Sequence, residues 1–167
     1  MTDEVQIRRA AEQDREAVGQ LWLELMTHHA GLDPDAFCLA DDALAQWYEI
    51  FEGRMADENC LLLVAEAGGQ VVGFIKGTIG EDGPVLARRP HGYVGEISVT
   101  ARDQRHGVGR RLYEELIAWF RERGLSQVRL HISAYNPVSD AFWRAMGFSP
   151  YLLHMRCPLD PAAGERE

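Results

Sequence analysis

Apolar residues recur along the chain with two periods, and the switches between them mark out its elements. Val5 to Arg9 alternates apolar and polar as a short strand, then Gln13 to Met26 changes to helical spacing with Val18, Leu21, Trp22 and Leu25 on one face. Thr27 to Asp42 loses both periods to glycine, proline and aspartates, and a second helix is predicted over Ala43 to Met55. Leu61 to Glu66 and Val71 to Ile79 are apolar strands flanking Gly68-Gly69, the pattern of a hairpin. After a loop holding Pro84 and Pro90, a strand over Tyr93 to Val99 leads through a polar stretch into a helix reaching Arg123. That helix places Val108, Leu112, Leu116, Trp119 and Phe120 on one face. A strand over Gln127 to Ser133, a helix over Asn136 to Met146 and a last strand over Phe148 to Cys157 complete the chain. Asn136 is placed to cap that last helix and Pro137 to occupy its first position. There is no internal repeat, and the stretch from Pro158 reads as a frayed tail.

One junction carries chemistry. Val99 to Leu112 reads VTARDQRHGVGRRL, so Gly107 and Gly109 fall where a strand hands over to a helix N-terminus. The first N–H groups of a helix have no intrahelical partner and the macrodipole adds positive charge, so a phosphate can be held there by main chain alone. Glycine lets such a ligand approach the backbone closely, and Arg102, Arg105, Arg110 and Arg111 surround the loop. A dinucleotide fingerprint requires a third glycine where this chain has Leu112, and a P-loop requires Lys-Ser/Thr where it has Arg110-Arg111. Both readings fail on those residues.

Composition narrows the class. The chain has 167 residues, 46% of them hydrophobic, which suits one globular domain with a real core. No run approaches the roughly 18 apolar residues of a membrane span, and the charged start MTDEVQIRR lacks a signal-peptide core. The expectation is a soluble cytoplasmic protein with no membrane partner. Cys38, Cys60 and Cys157 are widely spaced without metal-ligand pairing, so they read as small buried hydrophobes and no metal site is predicted. A formal net charge of −9 argues against nucleic acid as a partner and is compatible with cationic substrates.

The glycine loop Gln104, Arg105, His106, Gly107, Val108, Gly109, following an apolar strand, resembles the signature loop of the GNAT superfamily of acyl-CoA N-acyltransferases. A second motif agrees: Asn136, Ala141, Phe142 and Gly147-Phe148 fall at the family's spacing. The element order, β-α-α-β-β-β-α-β-α-β, matches from end to end. The resemblance implies a single-domain α/β (α+β) fold over 1–157 with a flexible tail over 158–167. Its sheet would be mixed, mostly antiparallel, flanked by helices and opened between central strands. It also implies acetyl-CoA as co-substrate, with its pyrophosphate in the loop from Gln104 to Arg110 and its pantetheine arm along Ile97, Ser98, Val99 and Asn136. On its own, Asn136 reads as a plain helix cap, and the contact to the pantetheine arm is what the resemblance adds.

The implied reaction is direct acetyl transfer to a primary amine of a small molecule or peptide. An ammonium of pKa about 10.4 must lose its proton, which costs roughly 4 to 5 kcal/mol at neutral pH. Glu96, in an otherwise apolar strand, matches the family's acidic position near the acceptor nitrogen, so it is the candidate general base. The backbone N–H of Val99 is the implied donor to the thioester oxygen. The family's tyrosine, seven residues beyond the asparagine, is Trp143 here, and an indole N–H is no usable acid. Tyr135 is the nearest phenol in sequence. Releasing a thiolate of pKa near 8.5 costs only about 2 kcal/mol at neutral pH, so base and oxyanion donor matter more than an acid. His28, His29 and Asp33, with Asp35, Asp41 and Asp42, are candidates for an acidic acceptor entrance near Trp22, Trp47 and Tyr48, or they form a solvated loop. A homodimer, common in the family, is compatible with the chain. The missing tyrosine motivates an alternative, a catalytically silent acyl-CoA-binding sensor or interaction module.

Overall fold

One five-stranded sheet, in the order β1-β2-β3-β4-β5, organises the computed structural model, which describes residues 4–87, 89–157 and 159. Its strands are β1 (Gln6–Arg9), β2 (Cys60–Ala67), β3 (Gln70–Gly80), β4 (His91–Val99) and β5 (Val128–Leu130). Neighbours from β1 to β4 are antiparallel, and β5 joins β4 in parallel. The helices are α1 (Arg15–Leu32), α2 (Ala43–Met55), α3 (Val108–Glu122) and α4 (Pro137–Ala145). The mixed, mostly antiparallel sheet flanked by helices is the fold class expected from the sequence.

Both faces of the sheet are covered, which is why β2 is apolar on both sides. Leu61, Leu63 and Ala65 join Leu112, Leu116 and Phe120 of α3 in one core. Leu62 and Val64 join Phe74, Val18, Leu21 and Trp22, with Trp47 and Phe51 of α2, in the other. The stripe predicted on α3 is therefore its buried face, each large side chain contributing about 1.5–3 kcal/mol of transfer free energy. Trp22 and Trp47 stack at 5.6 Å inside this second core; Trp22 is buried as its place on the apolar stripe predicts, and Trp47 is interior packing and not the rim of an acceptor entrance.

At the sheet's opposite edge, Arg8 joins β1 to its surroundings. It donates to Asp14 at 2.6 and 2.9 Å and to Glu66 at 2.8 Å. Asp14 is buried and also accepts from the Ala11 N–H, and the Arg8 bond holds its carboxyl below the ordinary carboxylate range.

Three sequence expectations are corrected. The first helix runs on to Leu32 instead of ending at Met26, placing His28 and His29 on a helix. Gly31 there costs only about 1 kcal/mol relative to alanine. The helix ends at Asp33, which is extended (φ −151°, ψ 85°) because the following Pro34 disfavours helical conformation in its predecessor. Second, the strand predicted over Phe148 to Cys157 is not formed, and β5 keeps three residues of the seven expected. Tyr151, Leu152, Leu153 and Met155 are 67–83% exposed, since an apolar pattern makes a strand only where a ladder partner lies beside it. Third, Cys60 is buried but Cys38 and Cys157 are exposed. The predicted tail lies outside the described residues except for the exposed Leu159.

Candidate active site

The sheet opens between β4 and its edge strand β5, not between two central strands as the resemblance implied. β5 pairs with Gly92, Tyr93 and Val94 and then stops, while β4 continues to Val99 beside β3 alone. The Thr100 N–H donates to the Val72 carbonyl at 2.8 Å, toward β3. Backbone donors alternate along a strand, so the N–H groups of Val99 and Ile97 point the other way, into the gap left by β5. Ser98 directs its own N–H to β3. A bulge re-aims the strand here: Lys76 pairs with Glu96 and Gly77 with Val94, leaving Gly95 as the extra residue.

The gap leads to the glycine loop. Asp103 and Gln104 fold back on the Thr100 carbonyl, and Gln104 Nε2 donates to the Val99 carbonyl at 2.9 Å, fastening the loop to the end of β4. The Thr100 hydroxyl holds the Asp103 carboxyl below its ordinary range. Arg105 (φ 62°) and Gly107 (φ 84°) take left-handed conformations that bend the chain into α3. Gly107 offers no side-chain cap, and the first bond into the helix is Arg111 N–H to the Gly107 carbonyl. The N–H groups of Val108, Gly109 and Arg110 are thus left facing the loop without an intrahelical partner. A Cβ on Gly109 would lie 3.6 Å from the Phe142 ring, an ordinary contact, so protein packing does not itself demand glycine there. Arg105 and His106 are exposed on the loop, whereas Arg110 leans toward Glu114 at 3.9 Å. Arg111 points to a depression of about 520 Å³ beside β1, shared with Glu4, Glu114 and Glu115 and remote from the gap.

On the face toward α1 and α2, Glu96 is not alone. Lys76 Nζ lies 2.6 Å from its Oε2, both side chains under 20% exposed. That oxygen is buried without an aligned hydrogen-bond donor, so the contact is a close ion pair. Tyr93 shares this face, and its hydroxyl meets His131 Nδ1 at 2.8 Å. Burial and then the Glu96 charge push the Tyr93 phenol up. The other candidates are dispersed. Asp33 is buried and bound by Arg156 at 2.8 Å. His29 stacks on Phe37 at 4.7 Å, and burial pushes its imidazole down. Tyr135 is 59% exposed, with its hydroxyl near Arg156. Asn136 is buried and its Oδ1 accepts from Ser139 N–H at 3.0 Å, the cap role. Trp143 is buried against Phe142, Tyr113 and Phe148. Sequence reading missed Lys76, Tyr93 and Arg156. Lys76 did leave a signal, as the lone charge in the β3 sequence QVVGFIKGTIG.

Comparison with known proteins decides the family. The acetyltransferase (GNAT) family profile matches residues 22–148. The chain belongs to the GNAT acetyltransferase family. It is 30% identical over 160 residues to an aminoglycoside N(6')-acetyltransferase type 1 of Stenotrophomonas maltophilia, covering 94% of this chain and 95% of that protein. A crystal structure of a mutant BH1408 protein of Bacillus halodurans superposes with a TM-score of 0.85 at 21% identity, covering 92% of this chain and 99% of that one. The aminoglycoside N-acetyltransferase AAC(6')-Iy in complex with CoA gives a TM-score of 0.69 at 20% identity over 94% and 98% of the two chains. Family and relative make this GNAT protein an acyl-CoA-dependent N-acetyltransferase. Among the described residues no cluster of three His, Cys, Asp or Glu could hold a metal ion, and no helix is long and apolar enough to cross a membrane.

Proposed function

We propose that this enzyme moves the acetyl group of acetyl-CoA directly to a primary amine of an aminoglycoside-like polycation, with Glu96 as general base. The observation that carries the reading is the split strand: an ionisable carboxylate, an outward N–H at Val99 and an uncapped helix N-terminus lie along one edge of β4. The N–H groups of Val108, Gly109 and Arg110 receive the pyrophosphate, with Gln104, Arg105 and His106 beside it. Ile97 and Val99 present their free backbone edge to the pantetheine arm, which Asn136 flanks, while Ser98 between them is bonded to β3. The acceptor ammonium gives a proton to Glu96; its nitrogen attacks the thioester carbon, whose oxygen is held by the Val99 N–H. The C–N bond forms, the C–S bond breaks, the second proton of the nitrogen passes through water to the departing thiolate, and Glu96 returns its proton to solvent. Neither Trp143 nor the outlying Tyr135 is required as an acid. The choice of acceptor rests on the 30% identical aminoglycoside acetyltransferase. Tyr151, Leu152, Leu153 and Met155, exposed on the last segment, favour a homodimer built through it.

The test is thiol release from acetyl-CoA against aminoglycosides, polyamines, amino acids and peptides. Turnover with aminoglycosides is expected, and preference for peptides would overturn the acceptor class. Glu96→Gln should lower kcat about 10²–10⁴-fold while CoA still raises the melting temperature. Retained turnover would remove Glu96 from the mechanism.

A further inference from the structure

We propose that Lys76 is a positioning residue for the acceptor: a resident ammonium that occupies Oε2 of Glu96, so that the incoming amine meets the remaining oxygen as a proton acceptor and cannot rest on the whole carboxylate as a salt bridge. The inference rests on Glu96 being the base. Three observations converge on the pair. Antiparallel register sets the two residues directly opposite each other, and Nζ stands 2.6 Å from an oxygen that is buried and otherwise lacks an aligned donor. The bulge places Gly95 against the lysine stem, where any Cβ would come within 2.8 Å of Lys76 Cε. The glycine therefore keeps the path of the ammonium open. The neighbouring Tyr93 hydroxyl is committed to His131, so the lysine is the charged partner this carboxylate has in hand.

The chemistry gives the arrangement a purpose. A polyamine arrives protonated, and a carboxylate with both oxygens open would bind it tightly as an ion pair before reaction. Binding that is lost at the transition state lowers KM and kcat together and slows turnover at saturation. A permanent lysine on one oxygen weakens that resting state and fixes the orientation of the other oxygen. An ion pair that only stabilised the fold would have no such kinetic signature.

Lys76→Met, Lys76→Arg and Gly95→Ala are compared in steady-state kinetics with tobramycin and spermidine, and each is titrated with tobramycin by calorimetry. For Lys76→Met the acceptor KM should fall about threefold or more and kcat about tenfold, with the acetyl-CoA KM unchanged. Lys76→Arg should stay near wild type. Gly95→Ala keeps both charges but pushes the ammonium aside, so it should move in the same direction as Lys76→Met, and it carries the test if that variant does not fold. An acceptor KM that is unchanged or raised, in whichever of these two variants folds, would overturn the proposal. Calorimetry decides without turnover: tobramycin must bind more tightly once the lysine is gone, and equal or weaker binding refutes the idea. Full activity of Glu96→Gln would instead sink the base while leaving the calorimetric comparison intact, so the two failures are told apart.

Discussion

Between Gly92 and Val94, β4 is bonded on both sides, to β3 and to β5; between Gly95 and Val99 it is bonded to β3 alone. The first half is filled in. Gly92 lies against the Phe120 ring, Val94 is buried, and the Gly92 N–H reaches the Gln127 carbonyl. The second half leaves backbone donors without a strand to receive them, and the ion pair of Lys76 and Glu96 stands where an apolar cross-strand pair would pack. Unsatisfied backbone and a charged pair are costly in a core and are tolerated where a substrate completes them. The contrast within one strand separates what holds this enzyme together from what it works with.

Breaking the closed half should cost stability and spare binding. In Gly92→Ala the new Cβ would sit 2.8 Å from the ring of Phe120, which is 1% exposed and has no room to move. A loss of about 1–3 kcal/mol is expected in urea unfolding, with CoA still raising the melting temperature by the wild-type increment. If CoA stabilisation is selectively lost, the two halves are not separable.

Disturbing the open half should do the reverse. Gly109→Ala meets only an ordinary contact at Phe142, and alanine favours a helix over glycine by about 1 kcal/mol, so the free protein should melt no lower. The dissociation constant for CoA should nevertheless rise about tenfold, or 1.4 kcal/mol, because the added methyl stands where phosphate approaches the backbone. Unchanged affinity would mean that the second loop glycine serves folding alone.

The smallest effect belongs to a charge cluster remote from either half. The bond from Arg8 holds the Asp14 carboxyl low, so its contribution is complete above the ordinary value of about 3.9 and is lost as pH falls through the lower folded value. As pH falls below about 4, wild type should lose stability that Asp14→Asn keeps. Parallel stability curves would show that Asp14 titrates alike in the folded and unfolded chains. CoA affinity at neutral pH should be the same in both proteins.

Much of this molecule was legible before any coordinates. The apolar run of Leu61 to Glu66, the stripe on α3 and the Gly107 to Gly109 junction are local patterns, and local hydrogen bonding and burial are enough to turn them into a strand, a helix and a tight turn into it. Asn136 followed by Pro137 announced the start of α4 for the same reason. What local pattern could not decide were features that depend on a neighbour brought from elsewhere. Phe148 to Cys157 has the apolar pattern of a strand but gains no ladder, while Trp22 and Trp47 became core because two helices close on each other. Asp33 is taken by Arg156, more than a hundred residues away in the chain. Glu96 was visible as a charge in an apolar strand; that it faces Lys76 follows from antiparallel register and a one-residue bulge. The sequence by itself determined most of the elements, the family and the glycine turn into α3, because those rest on contacts within a few residues. Tertiary structure decided where the sheet opens and which charge each catalytic candidate meets, because those are set by which strand ends stop pairing first.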